Sequence, residues 1–133
     1  MSENLDLVRS ICGEWERGKF DSADWADPNI EFALCDGPDP GSWKGLPAMA
    51  RRGGELIRTL EDFRIEVVGY REVDDARILV RWQYAGSAKS SGVNPHRLIE
   101  RAAHIFELRD GKVVRLAFYV EEKHALADLG LEE

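Results

Sequence analysis

The stretch from Arg97 to Glu121, RLIERAAHIFELRDGKVVRLAFYVE, constrains the fold more than any other part of the chain. Apolar residues alternate on both sides of Arg109-Asp110-Gly111-Lys112, where glycine can take the positive φ that a hairpin turn demands. Side chains on a strand alternate between faces, so the pairing register decides which residues share a side. A three-residue loop with Gly111 in the left-handed region pairs Leu108 with Lys112. One face then carries Phe106, Leu108, Val114, Leu116, Phe118 and Val120 together with Ala102, His104 and Glu100. The other carries Arg101, Ala103, Ile105, Glu107, Arg115, Ala117, Tyr119 and Glu121. A two-residue turn mixes apolar and charged residues on both faces. The bulged register is therefore expected, and it turns His104 toward the apolar side.

Upstream of this hairpin the periodicity changes. Leu5, Val8, Ile11, Cys12 and Trp15 recur at helical spacing, with Asn4 as N-cap and Gly18 as the stop. Phe20 to Asp27 reads as a single helical turn, and Asn29 to Cys35 as a strand with Ile30, Phe32 and Leu34 on one side. The segment from Asp36 to Gly45 is dense in turn formers and reads as a surface loop, with Trp43 its only large apolar residue. A second helix is expected from Leu46 to Glu61, with Met49, Leu56, Ile57 and Leu60 on its stripe and a costly Gly53-Gly54 inside. Phe63–Glu72 and Ala76–Gly86 alternate and form a hairpin. Ser87 to His96 is polar and flexible. The tail from Glu122 to Leu131 is helical, with Gly130 at C′ and Leu131 as the contact beyond it.

This order predicts one α+β domain over residues 1–133: a cone-shaped, curved antiparallel sheet with the N-terminal helices packed on its concave face. Layers that diverge along such a cone leave a cavity. Its expected lining is Trp15, Phe32, Leu34, Leu60, Val80, Trp82, Tyr84, Phe106, Leu116 and Phe118. The opposite face, with Arg81, Gln83, Arg101, Ile105, Arg115 and Tyr119, has no helix left to cover it, and a homodimer through this open face is expected.

Composition removes several classes of function. A net charge of −7 argues against a nucleic-acid or anionic-membrane surface. No apolar run is long enough for a membrane span, and the polar start MSENLDLVRS is unlike a signal peptide, so a cytoplasmic protein is expected. Cys12 and Cys35 lie in patterned segments at no metal-ligand spacing and read as free thiols. Three histidines scattered along the chain give no metal site, and no cofactor motif is present.

His104 is the first candidate for chemistry, since an imidazole in an apolar cavity can exchange a proton near neutral pH. The plainer alternative is a core histidine bonded to a backbone carbonyl or a tyrosine. Trp82 and Tyr84 on the same face form either an aromatic wall for a flat ligand or ordinary core. Glu100 lies two pairs along, on the inward face or at its rim, where a buried carboxylate needs a partner. Asp36 stands just beyond the first strand.

Several stretches together resemble one family. VRSICGEWERGKFD, WADPNIEF, SWKGLPAMARRGGELI, EDFRIEVVGY, SGVNPHRLIERAAHIFELRDGKVVRLAFYVE and ALADLGL are similar to SnoaL-like proteins of the nuclear transport factor 2-like, or cystatin-like α+β, superfamily. The resemblance implies a small apolar ligand in a hydrophobic cavity. Its enzymatic form is a cofactor-independent isomerase, cyclase or dehydratase acting on an apolar, carbonyl-bearing substrate; its alternative is a non-catalytic ligand-binding or dimerisation module. His104 resembles the position from which ketosteroid isomerases donate to the substrate oxyanion, and Trp15 stands where their first-helix tyrosine does. The base of those isomerases has no counterpart at Ala33, Leu34 or Cys35. That leaves Asp36 and Glu100 as the acids that could serve.

Overall fold

The computed structural model describes residues 3–17, 24–36, 40–58, 60–88 and 98–131, with side chains at all of these except 53–58, 60–64, 84–88 and 98–100. In chain order the elements are α1 (Glu3–Glu16), β1 (Ala26–Leu34), β2 (Gly41–Lys44), α2 (Leu46–Arg58), β3 (Leu60–Glu72), β4 (Arg77–Ala88), β5 (Leu98–Arg109), β6 (Lys112–Tyr119) and α3 (Glu122–Asp128). The strands form one curved, unclosed sheet of six in the order β2-β1-β6-β5-β4-β3. The α+β architecture is the expected one, with one exception to its antiparallel pairing. β1 lies parallel to β6, Phe32 opposite Leu116 and Leu34 opposite Phe118, because the chain crosses back to β1 only after α2 and four intervening strands.

The hairpin closes differently from expectation. Asp110 and Gly111 both have positive φ, 52° and 77°, and Arg109 pairs with Lys112, which is a two-residue turn with the twist of adjoining strands. A bulge one pair further on then changes the count. Leu108 pairs with Val113 but Glu107 with Arg115, so Val114 has no opposite number. Beyond it His104 faces Phe118 and Phe106 faces Leu116, so the predicted face is restored by the bulge in place of a longer loop. Val113, at 0% exposure, takes the core position expected of Val114.

Similar irregularities bend the other strands. Val67 pairs with Trp82 and Gly69 with Arg81, which puts Val68 outward and Tyr70 inward. In β1 the ladder to β6 is interrupted between Ala26 and Glu31, the interval that contains Pro28, a residue without an N–H to donate. β1 thus begins at Ala26, inside the expected helical turn, whose residues 20–23 lie outside the described residues. The loop before α2 contains β2, which pairs Trp43 with Phe32. Leu60 opens β3 and does not extend α2, and α2 runs on through Gly53 and Gly54. Asn4 sits within α1; its Nδ2 donates to the Asp75 carbonyl at 3.1 Å, tying the helix to the β3–β4 turn. Residues 18 and 89–97, with the expected helix stop and His96, also fall outside the described residues.

Two apolar layers sandwich the sheet. The larger packs Val8, Ile11 and Cys12 of α1 against Ile30, Phe32, Leu34, Val80, Trp82, Phe106 and Leu116, with all four tryptophans in or against it. Glu16, near the end of α1, accepts the Val67 N–H at 3.0 Å and so caps a backbone donor on the edge strand β3. The second layer corrects the expectation of an uncovered face. Ala125 and Leu126 of α3 bury Leu79, Ala103, Ile105, Ala117 and Tyr119, and Tyr119 Oη donates to Asp128 at 2.7 Å. The helix ends as read: Gly130 has φ 72° and donates to Ala127, Leu131 donates to Leu126 at 2.8 Å, and Leu131 packs on the layer.

Candidate functional site

His104 occupies the middle of β5, paired with Val80 on one side and Phe118 on the other, which turns its ring onto the helix-covered concave face. Four aromatic rings surround it. Centroid distances are 4.7 Å to Phe118, 5.4 Å to Trp15, 5.7 Å to Trp82 and 5.9 Å to Phe106, with Trp82 meeting it edge to face at 80°. Trp15 also stacks within 5.9 Å of Trp82, Phe106 and Trp25, so one helix side chain holds the cage together.

Exposure differs among the residues of the cage. Phe106 is fully buried and Trp82 nearly so, whereas Trp15, Phe118 and His104 each keep part of their surface accessible. His104 Nδ1 is sealed from solvent and has no hydrogen-bond partner, and the same holds for Trp82 Nε1. At Nδ1 the hydrogen bond of a core histidine to a backbone carbonyl or a tyrosine is thus not made. Burial disfavours the charged imidazolium and pushes the His104 pKa down to about 3, so the ring is neutral at physiological pH.

Of the other expected lining residues, Phe32, Leu34, Val80, Trp82, Phe106 and Leu116 are buried in the same layer, and Trp15 and Phe118 pack on it. Tyr84 and Glu100 pair with each other across β4 and β5, four residues along from Val80 and His104. Their side chains, and that of Leu60, lie outside the described residues. Trp25 and Trp43 join the layer without having been singled out by periodicity; the pairing of Trp43 with Phe32 needed β2 to be recognised inside a loop-like sequence.

Asp36 is engaged elsewhere. Its Oδ1 accepts the Val120 N–H at 2.6 Å, and its Oδ2 accepts the Glu121 N–H at 3.1 Å and lies 2.6 Å from His124 Nδ1. The carboxylate joins the end of β1 to the start of α3. With Glu121, these side chains place three potential ligand atoms within 4.8 Å of one another, a grouping that sequence could not suggest across a gap of 88 residues. The Asp36 oxygens, however, are already occupied by donors. Asp36→Ala is expected to lower stability by about 1.5–3 kcal/mol, because two backbone N–H groups lose a charged acceptor; urea denaturation would read it, and a change below about 0.5 kcal/mol would contradict the assignment.

One further polar cluster is structural. The Cys12 thiol is raised by burial, and it shares a hydrogen bond with Tyr70, whose own pKa rises to about 12 chiefly through burial while Arg9 lies 5.2 Å over its ring. Both cysteines are free thiols. A separate surface crevice of about 310 Å³ runs between α1 and the β5–β6 turn, lined by residues such as Leu7, Glu14, Asp24 and Lys112, and contains none of the His104 cage except Trp25 at its edge.

Comparison with known proteins places this geometry in context. The profile of the SnoaL-like domain matches residues 8–116. No curated protein sequence matches the chain. A nuclear transport factor 2-like protein from Burkholderia thailandensis superposes with a TM-score of 0.77 at 16% identity, over 99% of this chain and 100% of its own. A candidate SnoaL-like polyketide cyclase from Jannaschia gives 0.73 at 14% identity, over 98% and 94% of the two chains. TerC, co-crystallised with polyporic acid, gives 0.73 at 15% identity, over 96% and 98%. At these identities the likeness is one of fold.

Proposed function

The chain belongs to the SnoaL-like domain family, and from that membership we propose that it binds a small, flat, apolar, carbonyl-bearing molecule against His104 in a hydrophobic cavity. The observation that carries this reading is the half-open aromatic cage, where Trp15, His104 and Phe118 keep accessible surface on a face whose deeper residues are fully buried. Aromatic rings supply area at little entropic cost, and one polar group fixes orientation. TerC, of the same fold, is co-crystallised with a small organic molecule, which is in keeping with a fold that accommodates such ligands.

Between the two forms of this reading, a specific observation favours the non-catalytic one. A general acid or base is oriented by a third group, yet His104 Nδ1 has no partner and the ring takes up no second proton near neutral pH. A cofactor-independent isomerase, cyclase or dehydratase would need an acid to reach the ring, and Glu100, the candidate on β5, pairs with Tyr84 four residues along from His104. A suitable probe is 2-acetyl-6-hydroxynaphthalene, titrated by calorimetry. Saturable binding, weakened about ten-fold or more by His104→Ala, is expected from the loss of one polar contact and part of the cage. Absence of binding would sink the cavity reading.

We also propose a homodimer through the outer face beyond α3, where Arg81, Gln83 and Arg101 keep surface and Arg115 reaches Glu31 at 3.6 Å. Light scattering at micromolar concentration should give twice the 15.0 kDa chain mass, and a monomer would refute the contact. A cytoplasmic setting is in keeping with two free thiols. Among the described residues no helix is long and apolar enough to cross a membrane.

A further inference from the structure

We propose that His104 is held as the Nδ1–H tautomer, so that its bare Nε2 lone pair faces the accessible side of the cage and selects ligands that present a hydroxyl or enol hydrogen. This deepens the ligand-cavity reading and rests on it. A neutral imidazole has one N–H donor and one lone-pair acceptor, and its surroundings decide which nitrogen carries the proton. Nδ1 is sealed among rings with no hydrogen-bond partner. Ring faces are electron-rich, so an N–H directed at them is weakly favourable, while a lone pair there meets charge of its own sign.

The one sealed donor on the neighbouring ring settles the comparison. Trp82 Nε1–H can only donate, its ring stands edge to face 5.7 Å from the imidazole, and yet it makes no hydrogen bond to Nδ1. A lone pair at Nδ1 would therefore be buried without any donor and against electron-rich rings, where an N–H keeps a weak attraction. Nε2 is in a different position. It is not among the sealed unpartnered atoms and makes no hydrogen bond to another described residue, so we place it at the accessible edge of this partly exposed ring. A ligand reaching that edge meets an acceptor. A carbonyl oxygen would face lone pair against lone pair, whereas a hydroxyl, or the enol of a 1,3-dicarbonyl compound, completes the bond.

Two measurements on the full chain test this. Long-range proton–nitrogen correlation spectra of histidine-labelled protein should show Nδ1 as the protonated, pyrrole-type nitrogen of His104 and Nε2 as the pyridine-type one. Calorimetry should then find 2-acetyl-6-hydroxynaphthalene binding about ten-fold tighter than its methyl ether, 2-acetyl-6-methoxynaphthalene, the ratio expected of one hydrogen bond. The ether keeps the carbonyl and removes only the donor. His104→Phe, which preserves an aromatic ring in the cage, should bring the ratio close to one. Equal binding of both probes, or an Nε2–H tautomer, would overturn this inference and leave the cavity reading standing. Failure of both probes to bind would overturn the two together.

Discussion

Replacing Phe106 by alanine is expected to destabilise the fold by about 3–5 kcal/mol, the cost of removing a large aromatic side chain from a site that cannot collapse. Phe106 is 0% exposed, sits between Ile78 and Leu116 on its neighbouring strands, and stacks within 5.9 Å of both Trp15 and His104. Strand backbones hold those neighbours in place through their ladders, so little relaxation can refill the space. Against a total stability of about 5–15 kcal/mol for a domain of this kind, the loss is a large fraction. Val68 offers the contrast. At 39% exposure on the outward side of a bulge, its change to alanine should stay within about 0.5 kcal/mol. Urea denaturation followed by tryptophan fluorescence measures both, and a Phe106→Ala cost below about 1 kcal/mol would mean that this side of the cage is not packed as described.

The second large effect is a dependence of stability on pH that originates at His104. Its folded pKa of about 3 lies below the ordinary value of 6.5, so as pH falls the unfolded chain takes up a proton that the folded chain refuses. Stability is therefore fully present above pH 6.5 and declines as pH drops toward the folded value, with a slope approaching about 1.4 kcal/mol per pH unit. The useful window lies between about pH 6.5 and 5, above the range in which carboxylates dominate. In that window the wild type should lose about 2 kcal/mol more than His104→Phe, and the difference between the two proteins isolates His104. Parallel pH profiles would show that His104 titrates normally and that its ring is not desolvated as described.

Much of this architecture was legible in the sequence because its signals are local. The alternation of Ile30, Phe32 and Leu34, the helical stripe from Leu5 to Trp15 and the Gly130-Leu131 ending are each decided within a few residues, and each is found in the structure. The hairpin is more instructive. From Phe106 and Leu116 onward its faces follow from hydrophobic parity although the turn differs, since the chain restores that parity at Val114, beyond a tight Asp110-Gly111 turn, and only Val113 and Val114 exchange places. Periodicity reports the sum of such irregularities and not their position. What was hidden depended on distant partners. β2 is four residues long and is a strand because Phe32 stands opposite Trp43, and α3 covers the outer sheet face through Ala125 and Leu126, whose short helix gives no hint of where it packs.

The site divides in the same way. His104 and its aromatic neighbours Trp82, Phe106 and Phe118 share a face by strand arithmetic, and Trp15 reaches them along a predicted helix stripe. The role of Asp36 could not be read, because its partners Val120, Glu121 and His124 lie more than 80 residues away and include two backbone N–H groups that no side-chain pattern encodes. Nor could sequence foresee that Nδ1 would be sealed without a partner, a property of three-dimensional packing.

The central claim is that ligands enter the cage at His104 and not another part of the surface. Carbon-resolved NMR of the aromatic side chains during titration with 2-acetyl-6-hydroxynaphthalene tests it most directly. Saturable shifts of the His104, Phe118 and Trp15 rings, which share the accessible side of the cage, are the predicted result. Shifts confined to the crevice beside Asp24 and Lys112, or to His124 at the Asp36 clamp, with the His104 ring unmoved, would contradict it.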